Sequence, residues 1–164
     1  MNKFLILKDN FLIKRECDFL IKLHNANINN TIKHPTGPGK DQFTNVLKLQ
    51  KGLDNKIDEL INKKENFVTQ HIKDVKIVNI EIVEWWPGVE LKPHYDITPD
   101  NTHYKAATVC YLNKDYNGGD TVIENDTIIS PEVGRLIVFD GLNYKHGVKQ
   151  ISKNKRYTFI SWFM

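Results

Sequence analysis

From Val75 onward, turn residues cut the chain into short apolar segments, and this texture limits the fold more than any other feature. The segments are VKIVNIEIVEWW, AATVCYL, DTVIE, RLIVFD and RYTFISWF, with Gly, Asn and Pro between them. β-Branched and aromatic residues dominate each of them, as pleated, half-buried strands require. Strands returning at such close intervals belong to all-β sandwiches and barrels. The expected fold is therefore mainly β with leading α-helices: a double-stranded β-helix (jelly-roll, cupin-like) core with two helices bracing one face.

The leading part follows a different period. LIKRECDFLIKLHN sets Cys17, Leu20, Ile21 and His24 at helical spacing, which predicts an amphipathic helix over 14–25 with His24 packed at the core edge. DNKIDELINKKENFVTQHI predicts a second helix over 54–72, with Asp54 as N-cap. Ile57, Leu60, Ile61, Val68 and Ile72 form its buried stripe, and His71 falls on its surface. Between the two, residues 29–43 (NNTIKHPTGPGKDQF) collect Asn, Pro and Gly and read as a loop, and FTNVLKLQ follows as a strand. Neither helix has enough to pack against alone. A chain of 164 residues thus reads as one domain, with 1–75 as helical support and lid loop and 76–164 as the jelly-roll core.

Bulk properties exclude several partners. A net charge of +3, with its small excess in the first 75 residues, leaves no phosphate-binding footprint, so no nucleic acid is expected. The apolar run Phe4–Leu7 is too short for a signal-peptide core, and no later run approaches a membrane span. Cys17 and Cys110 lie in a helical and a strand pattern, and read as buried thiols of a reducing compartment. The expectation is a cytoplasmic monomer.

The chemistry concentrates at LKPHYDITPD. His94 and Asp96 are two apart, so on a strand they share one face. Such a pair is a surface ion pair or two arms of a metal site, and the pair alone does not decide. His146, in NYKHGV, offers a third ligand after the apolar run Leu136–Phe139. Two imidazoles and a carboxylate cap one face of an octahedral ion and leave three positions open, which suits non-haem Fe(II). A closed zinc site would use four protein ligands, usually with thiolates, and neither cysteine is near. Alternation along RYTFISWF puts Arg156, Thr158, Ile160 and Trp162 on one face. A buried arginine is costly unless it meets an anion, and its planar fork fits a carboxylate. Tyr111 alternates inward with Val109 and Ala107 and can join Arg156 on that carboxylate.

These segments resemble the 2-oxoglutarate- and Fe(II)-dependent oxygenases, and most of all their prolyl 4-hydroxylase branch. WWPGVELKPHYD is similar to the lead-in to the family's HxD, with Trp85, Gly88 and Leu91 nine, six and three residues before His94. The family often carries tyrosine where Trp85 and Leu91 stand. ATVCYLNKDYNGGDT resembles the next strand with its turn at Gly118 and Gly119, and HGVKQISKNKRYTFISWF resembles the closing strand pair. The resemblance implies that His94, Asp96 and His146 are the catalytic iron ligands. It implies too that Arg156 and Tyr111 bind the distal carboxylate of 2-oxoglutarate, with Val148 and Trp162 lining the pocket. The implied reaction consumes O2, releases succinate and CO2, hydroxylates a C–H bond and can be stimulated by ascorbate. Peptidyl proline is the favoured substrate, with a free amino acid or other small molecule as the alternative.

Cupin-like binding modules use an HxH pair, whereas this chain has HxD and keeps the whole keto-acid anchor. The nucleic-acid demethylating branch carries a further arginine shortly after the anchor, and RYTFISWFM has none. His34 and His103 read as solvated loop residues, and Trp85 and Trp86 as one buried and one outward.

Overall fold

In the computed structural model, which describes residues 3–36, 43–96, 104–124 and 126–164, two antiparallel sheets face each other and two helices cover the larger one. The strands are β1 Leu5–Lys8, β2 Ile32–Pro35, β3 Phe43–Lys48, β4 Ile77–Trp85, β5 Leu91–His94, β6 Ala106–Tyr111 and β7 Asn117–Gly118. They continue as β8 Thr121–Ile123, β9 Thr127–Ile129, β10 Leu136–Phe139, β11 His146–Val148, β12 Ile151–Ser152 and β13 Arg156–Phe163. The helices are α1 Lys14–Ala26 and α2 Asn55–His71. The larger sheet runs β1-β10-β6-β13-β4-β3-β2, the smaller β5-β11-β8-β9, and β12 pairs with β7. No helix among the described residues is long and apolar enough to cross a membrane.

Both helices form where their periodicity places them. Asp54 caps α2 by accepting from the backbone N–H groups of Lys56 and Ile57. Glu16 of α1 accepts from the N–H of Ile13 and from Lys63 Nζ of α2, so one carboxylate closes a helix start and ties the helices together. Their stripes bury Cys17, Leu20, Leu60, Ile61 and Val68 against Ile80, Ile82, Cys110, Phe159 and Phe163 of the sheet. Both cysteines are free and buried. His24 is fully buried, with Nε2 against the carbonyl of Asn45, as its core-edge position suggested.

β13 sits between β6 and β4 and divides the molecule. Its odd residues Tyr157, Phe159 and Phe163 face the helices, whereas Arg156, Thr158, Ile160 and Trp162 face the smaller sheet. The helix-side face also holds two buried charged side chains. Lys64 donates to the carbonyl of Phe159 and to Ser161 Oγ, and Glu84 accepts from Asn45, Trp86, Lys155 and Tyr157.

Three details depart from expectation. The leading part supplies more strand than expected, because β1 and β2 form the two edges of the larger sheet besides the expected β3. Residues 32–35, expected as loop, pair in register with β3; Ile32 meets Val46 across the ladder and outweighs the local Pro and Asn signals. His94 ends β5 and Asp96 lies just past it, so the HxD pair is not carried by one continuous strand. The Gly-Pro part of the expected lid loop, 37–42, and residues 97–103 with His103 lie outside the described residues. His34 is exposed on β2.

Candidate metal centre and carboxylate pocket

β11 brings the first two ligands together by lying antiparallel to β5, with His146 directly opposite His94. Gly147 makes this approach possible: a Cβ there would fall 2.5 Å from the carbonyl oxygen of Leu91 and 3.1 Å from the nitrogen of Pro93. The glycine after the histidine was the available signal, and its packing role shows only once the strands are paired. The rings of His94 and His146 lie 4.4 Å apart, and Phe139 packs against His146 at 4.6 Å.

Each imidazole is oriented by a backbone carbonyl. His94 Nδ1 lies 2.9 Å from the oxygen of Lys92, and His146 Nδ1 lies 3.4 Å from that of Tyr144. A carbonyl only accepts, so each Nδ1 carries the proton and each Nε2 presents its lone pair. Asp96 Oδ1 stands 3.8 Å from His94 Nε2 and 3.5 Å from His146 Nε2. One donor atom from each residue falls within 4.8 Å of the others, which is the geometry of a group able to hold a metal ion. Burial lowers the His146 pKa, with the Asp96 charge opposing, and this favours the neutral, ligating imidazole.

Trp162 does more than line the wall. Its indole N–H donates to Asp96 Oδ2 at 3.0 Å, which leaves Oδ1 turned toward the histidines. The side chains of Asp96 and His146 are 10–11% exposed, whereas that of His94 is 39% exposed. The centre therefore opens to solvent on the His94 side alone, among these three residues.

Next to the triad a pocket runs between the sheets to Arg156. Arg156 is 1% exposed, and among the described residues its three guanidinium nitrogens meet no anion and no well-aligned acceptor, only the hydroxyls of Tyr111 and Tyr116 close beside them. The group is held between two rings, 4.9 Å from the centroid of Trp85 and 5.2 Å from that of Tyr111. An arginine cannot shed its proton, so a buried and unpaired one demands an anion. Trp85 cannot supply a donor to such an anion, because its indole N–H is already spent on Thr158 Oγ1 at 2.9 Å. Leu91 and Val148 close the pocket with apolar surface.

Tyr111 is fully buried beside Arg156, but its hydroxyl is engaged by Thr121 Oγ1 at 2.6 Å and the carbonyl of Ile129 at 3.2 Å. Thr121 itself faces the pocket from β8, paired with Val148 of β11. Sequence reading passed over Thr121, whose signal was its place just after the Gly-Gly turn. The structure thus brings His94, Asp96, His146, Arg156, Val148 and Trp162 around one pocket, with Tyr111 packed against Arg156 but not itself lining that pocket. The fit to the implied groups is good on two counts: the donor set suits an open six-coordinate ion, and the stranded guanidinium suits a carboxylate.

Residues 80–164, slightly over half of the chain, match the family model of the 2OG-Fe(II) oxygenase superfamily. No curated protein sequence matches the chain. Among solved structures it is similar to the viral collagen prolyl hydroxylase from Paramecium Bursaria Chlorella virus-1 in its 2OG complex, at 19% identity and a TM-score of 0.75, covering 99% of this chain and 96% of that one. It is similar to a prolyl-4-hydroxylase from Pseudomonas putida at 17% identity and a TM-score of 0.72, covering 99% and 92%. A prolyl hydroxylase from Trichoplax adhaerens, in complex with a hypoxia inducible factor oxygen degradation domain peptide fragment, matches at 17% identity and a TM-score of 0.73, covering 98% and 83%. At these identities the likeness establishes a shared fold.

Proposed function

Because this chain belongs to the 2OG-Fe(II) oxygenase superfamily and is a 2-oxoglutarate-dependent dioxygenase, we propose that it hydroxylates prolyl residues of a peptide, with His94, Asp96 and His146 holding the iron. On this reading Arg156 binds the distal carboxylate of 2-oxoglutarate, Tyr111 joins it by turning its hydroxyl from Thr121 and Ile129, and the two facing sheets are the family's double-stranded β-helix. The observation that carries it is the stranded guanidinium of Arg156, buried at the end of a pocket whose other end is the His-Asp-His group.

When bound, Fe(II) with O2 and 2-oxoglutarate supplies the oxidation, giving succinate, CO2 and a hydroxylated C–H bond. The chain's residues set where that happens. The two Nε2 atoms and Asp96 Oδ1 would hold the ion, and Trp162 holds the carboxylate from behind. Arg156 would hold the far carboxylate of the keto acid through charge-assisted hydrogen bonds. Leu91, Val148 and Ile160 keep water from the intervening space. The exposed His94 side is the one open approach for a substrate among the ligands. A peptide substrate is favoured by the Trichoplax adhaerens neighbour, which was solved with a peptide bound.

The test combines binding and product analysis. Wild-type protein should bind one Mn(II), a redox-silent substitute for Fe(II), and His146→Ala should lose that binding together with succinate formation. Incubation with Fe(II), ascorbate, 2-oxoglutarate and libraries of proline-containing peptides and metabolites should yield a peptide heavier by one oxygen atom. Full activity in His146→Ala sinks the ligand assignment, and gain of oxygen only on a small molecule sinks the peptide substrate.

A further inference from the structure

We propose that Tyr116 is a second hydroxyl of the anion pocket, donating beside Arg156 to the distal carboxylate of 2-oxoglutarate and so helping to select a dicarboxylic keto acid. This rests on the reading of Arg156 given above. Six buried side-chain nitrogen or oxygen atoms find no well-aligned partner among the described residues, and four of them are Arg156 Nε, Nη1 and Nη2 and Tyr116 Oη; the Tyr116 hydroxyl lies close enough to accept from the guanidinium, which leaves its own proton without an acceptor. Buried donors are normally satisfied, so such a concentration at one place marks a missing ligand.

The two residues are neighbours. Gly119 shows this directly, since a Cβ there would fall 2.8 Å from Tyr116 Cε2 and 3.1 Å from Arg156 Cδ. The ring edge and the guanidinium stem therefore flank the same backbone atom. Gly119 has φ +70°, as has Gly118 before it, so the Gly-Gly turn folds the chain back over both side chains with no side chain of its own. The Tyr116 ring is 8% exposed and packs with Trp85, Val89, Val148 and Ile151. A phenylalanine would fill that apolar space equally, so packing does not account for the hydroxyl. Burial pushes the hydroxyl pKa up to about 12 against the opposing charge of Arg156, so the proton stays in place for donation. Tyr111 differs, because its hydroxyl is already held by Thr121 and Ile129.

The experiment is calorimetric titration of 2-oxoglutarate into Mn(II)-loaded protein, with the Mn(II) affinity measured separately. Tyr116→Phe removes one oxygen and keeps the ring in place. It should weaken 2-oxoglutarate binding about 10- to 100-fold, the loss typical of a hydrogen bond to a charged group. Mn(II) affinity should be unchanged, and the melting temperature of the ligand-free protein equal or higher. A 2-oxo acid with a single carboxylate should bind wild type and Tyr116→Phe alike. Unchanged 2-oxoglutarate affinity overturns the proposal, and so does an equal loss for both acids. Arg156→Met, run in parallel, separates the levels. If it weakens 2-oxoglutarate while Tyr116→Phe does not, only the role of Tyr116 falls; if neither variant weakens it, the placement of the keto acid falls as well.

Discussion

Two buried cations lie on opposite sides of β13, and the protein satisfies only one of them. Lys64 reaches from α2 into the helix-side core, where its Nζ donates to the carbonyl of Phe159 at 2.8 Å and to Ser161 Oγ at 3.1 Å. Burial lowers its pKa to about 7, so it can become neutral in place. Arg156 projects from the other face and meets no anion among the described residues. Burial alone is thus a poor marker of a site. A lysine can answer it by losing charge and donating to backbone, whereas an arginine left without an acceptor calls for an anion from outside the chain.

The largest expected effect breaks the comparison on the arginine side. Arg156→Met keeps most of the stem volume and removes the fork. The KM for 2-oxoglutarate should rise about 10- to 150-fold, corresponding to the roughly 1.5–3 kcal/mol of a hydrogen bond to a charged group. Chemical denaturation of the ligand-free variant should show stability equal to or above wild type, since an uncompensated charge has gone. An unchanged KM, or a variant that is less stable without any change in KM, would make Arg156 a structural residue like Lys64.

The second test works on the lysine side. Lys64→Met should leave the KM for 2-oxoglutarate unchanged and raise stability at neutral pH by about 1–4 kcal/mol. Its pH dependence has a definite sign. The unfolded lysine holds its proton up to its ordinary value of 10.5, while the folded one releases it from about 7. Between those values the unfolded state binds more protons, so this group's contribution to stability rises with pH. The advantage of Lys64→Met over wild type should therefore shrink from pH 7 upward. An advantage that stays constant across that range would mean that Lys64 is not buried as a titrating group.

This contrast also explains what was legible in the sequence. Alternation along RYTFISWF correctly put Arg156, Thr158, Ile160 and Trp162 on one face, because a strand's two-residue period is local. Asp54 as N-cap was legible for the same reason. Lys64 was not, although it falls on the stripe of Ile57, Leu60, Ile61 and Val68; a lysine there reads as surface until β13 offers its Nζ two acceptors. The link from Trp162 to Asp96 joins residues 66 apart in sequence and depends on how the two sheets face each other. Thr121 and Tyr116 were missed because their relevance comes from what lies beside them, Tyr111 in one case and Arg156 in the other. β2 was missed because its partner, β3, lies across a segment rich in Gly and Pro.

The smallest expected effect sharpens the comparison, using the acid on the helix-side face. Glu84 is 1% exposed, and its carboxylate accepts from Asn45, Trp86, Lys155 and Tyr157 at 2.6–2.9 Å. Lys155 and Tyr157 flank Arg156 in sequence, so this one carboxylate grips β13 on both sides of the anchor from behind. Burial acts to raise its pKa, but the four hydrogen bonds outweigh it and hold the group at about 2, below the ordinary 4.5. A carboxylate depressed in the folded state stabilises fully above its ordinary value and loses that contribution as pH falls toward its folded one. Glu84→Gln keeps the shape, removes the charge, and turns an amide donor toward partners that also donate. It should lower stability at pH 7 by about 1–3 kcal/mol. The deficit should shrink between about pH 4.5 and 2, because the wild type loses its charge there too. Denaturant titrations of both proteins across that window decide the matter: a deficit that does not change with pH would mean that Glu84 is not held as a charged acceptor. In that case the helix-side face would carry an unresolved charge of its own, and the contrast with Arg156 would no longer single out the pocket.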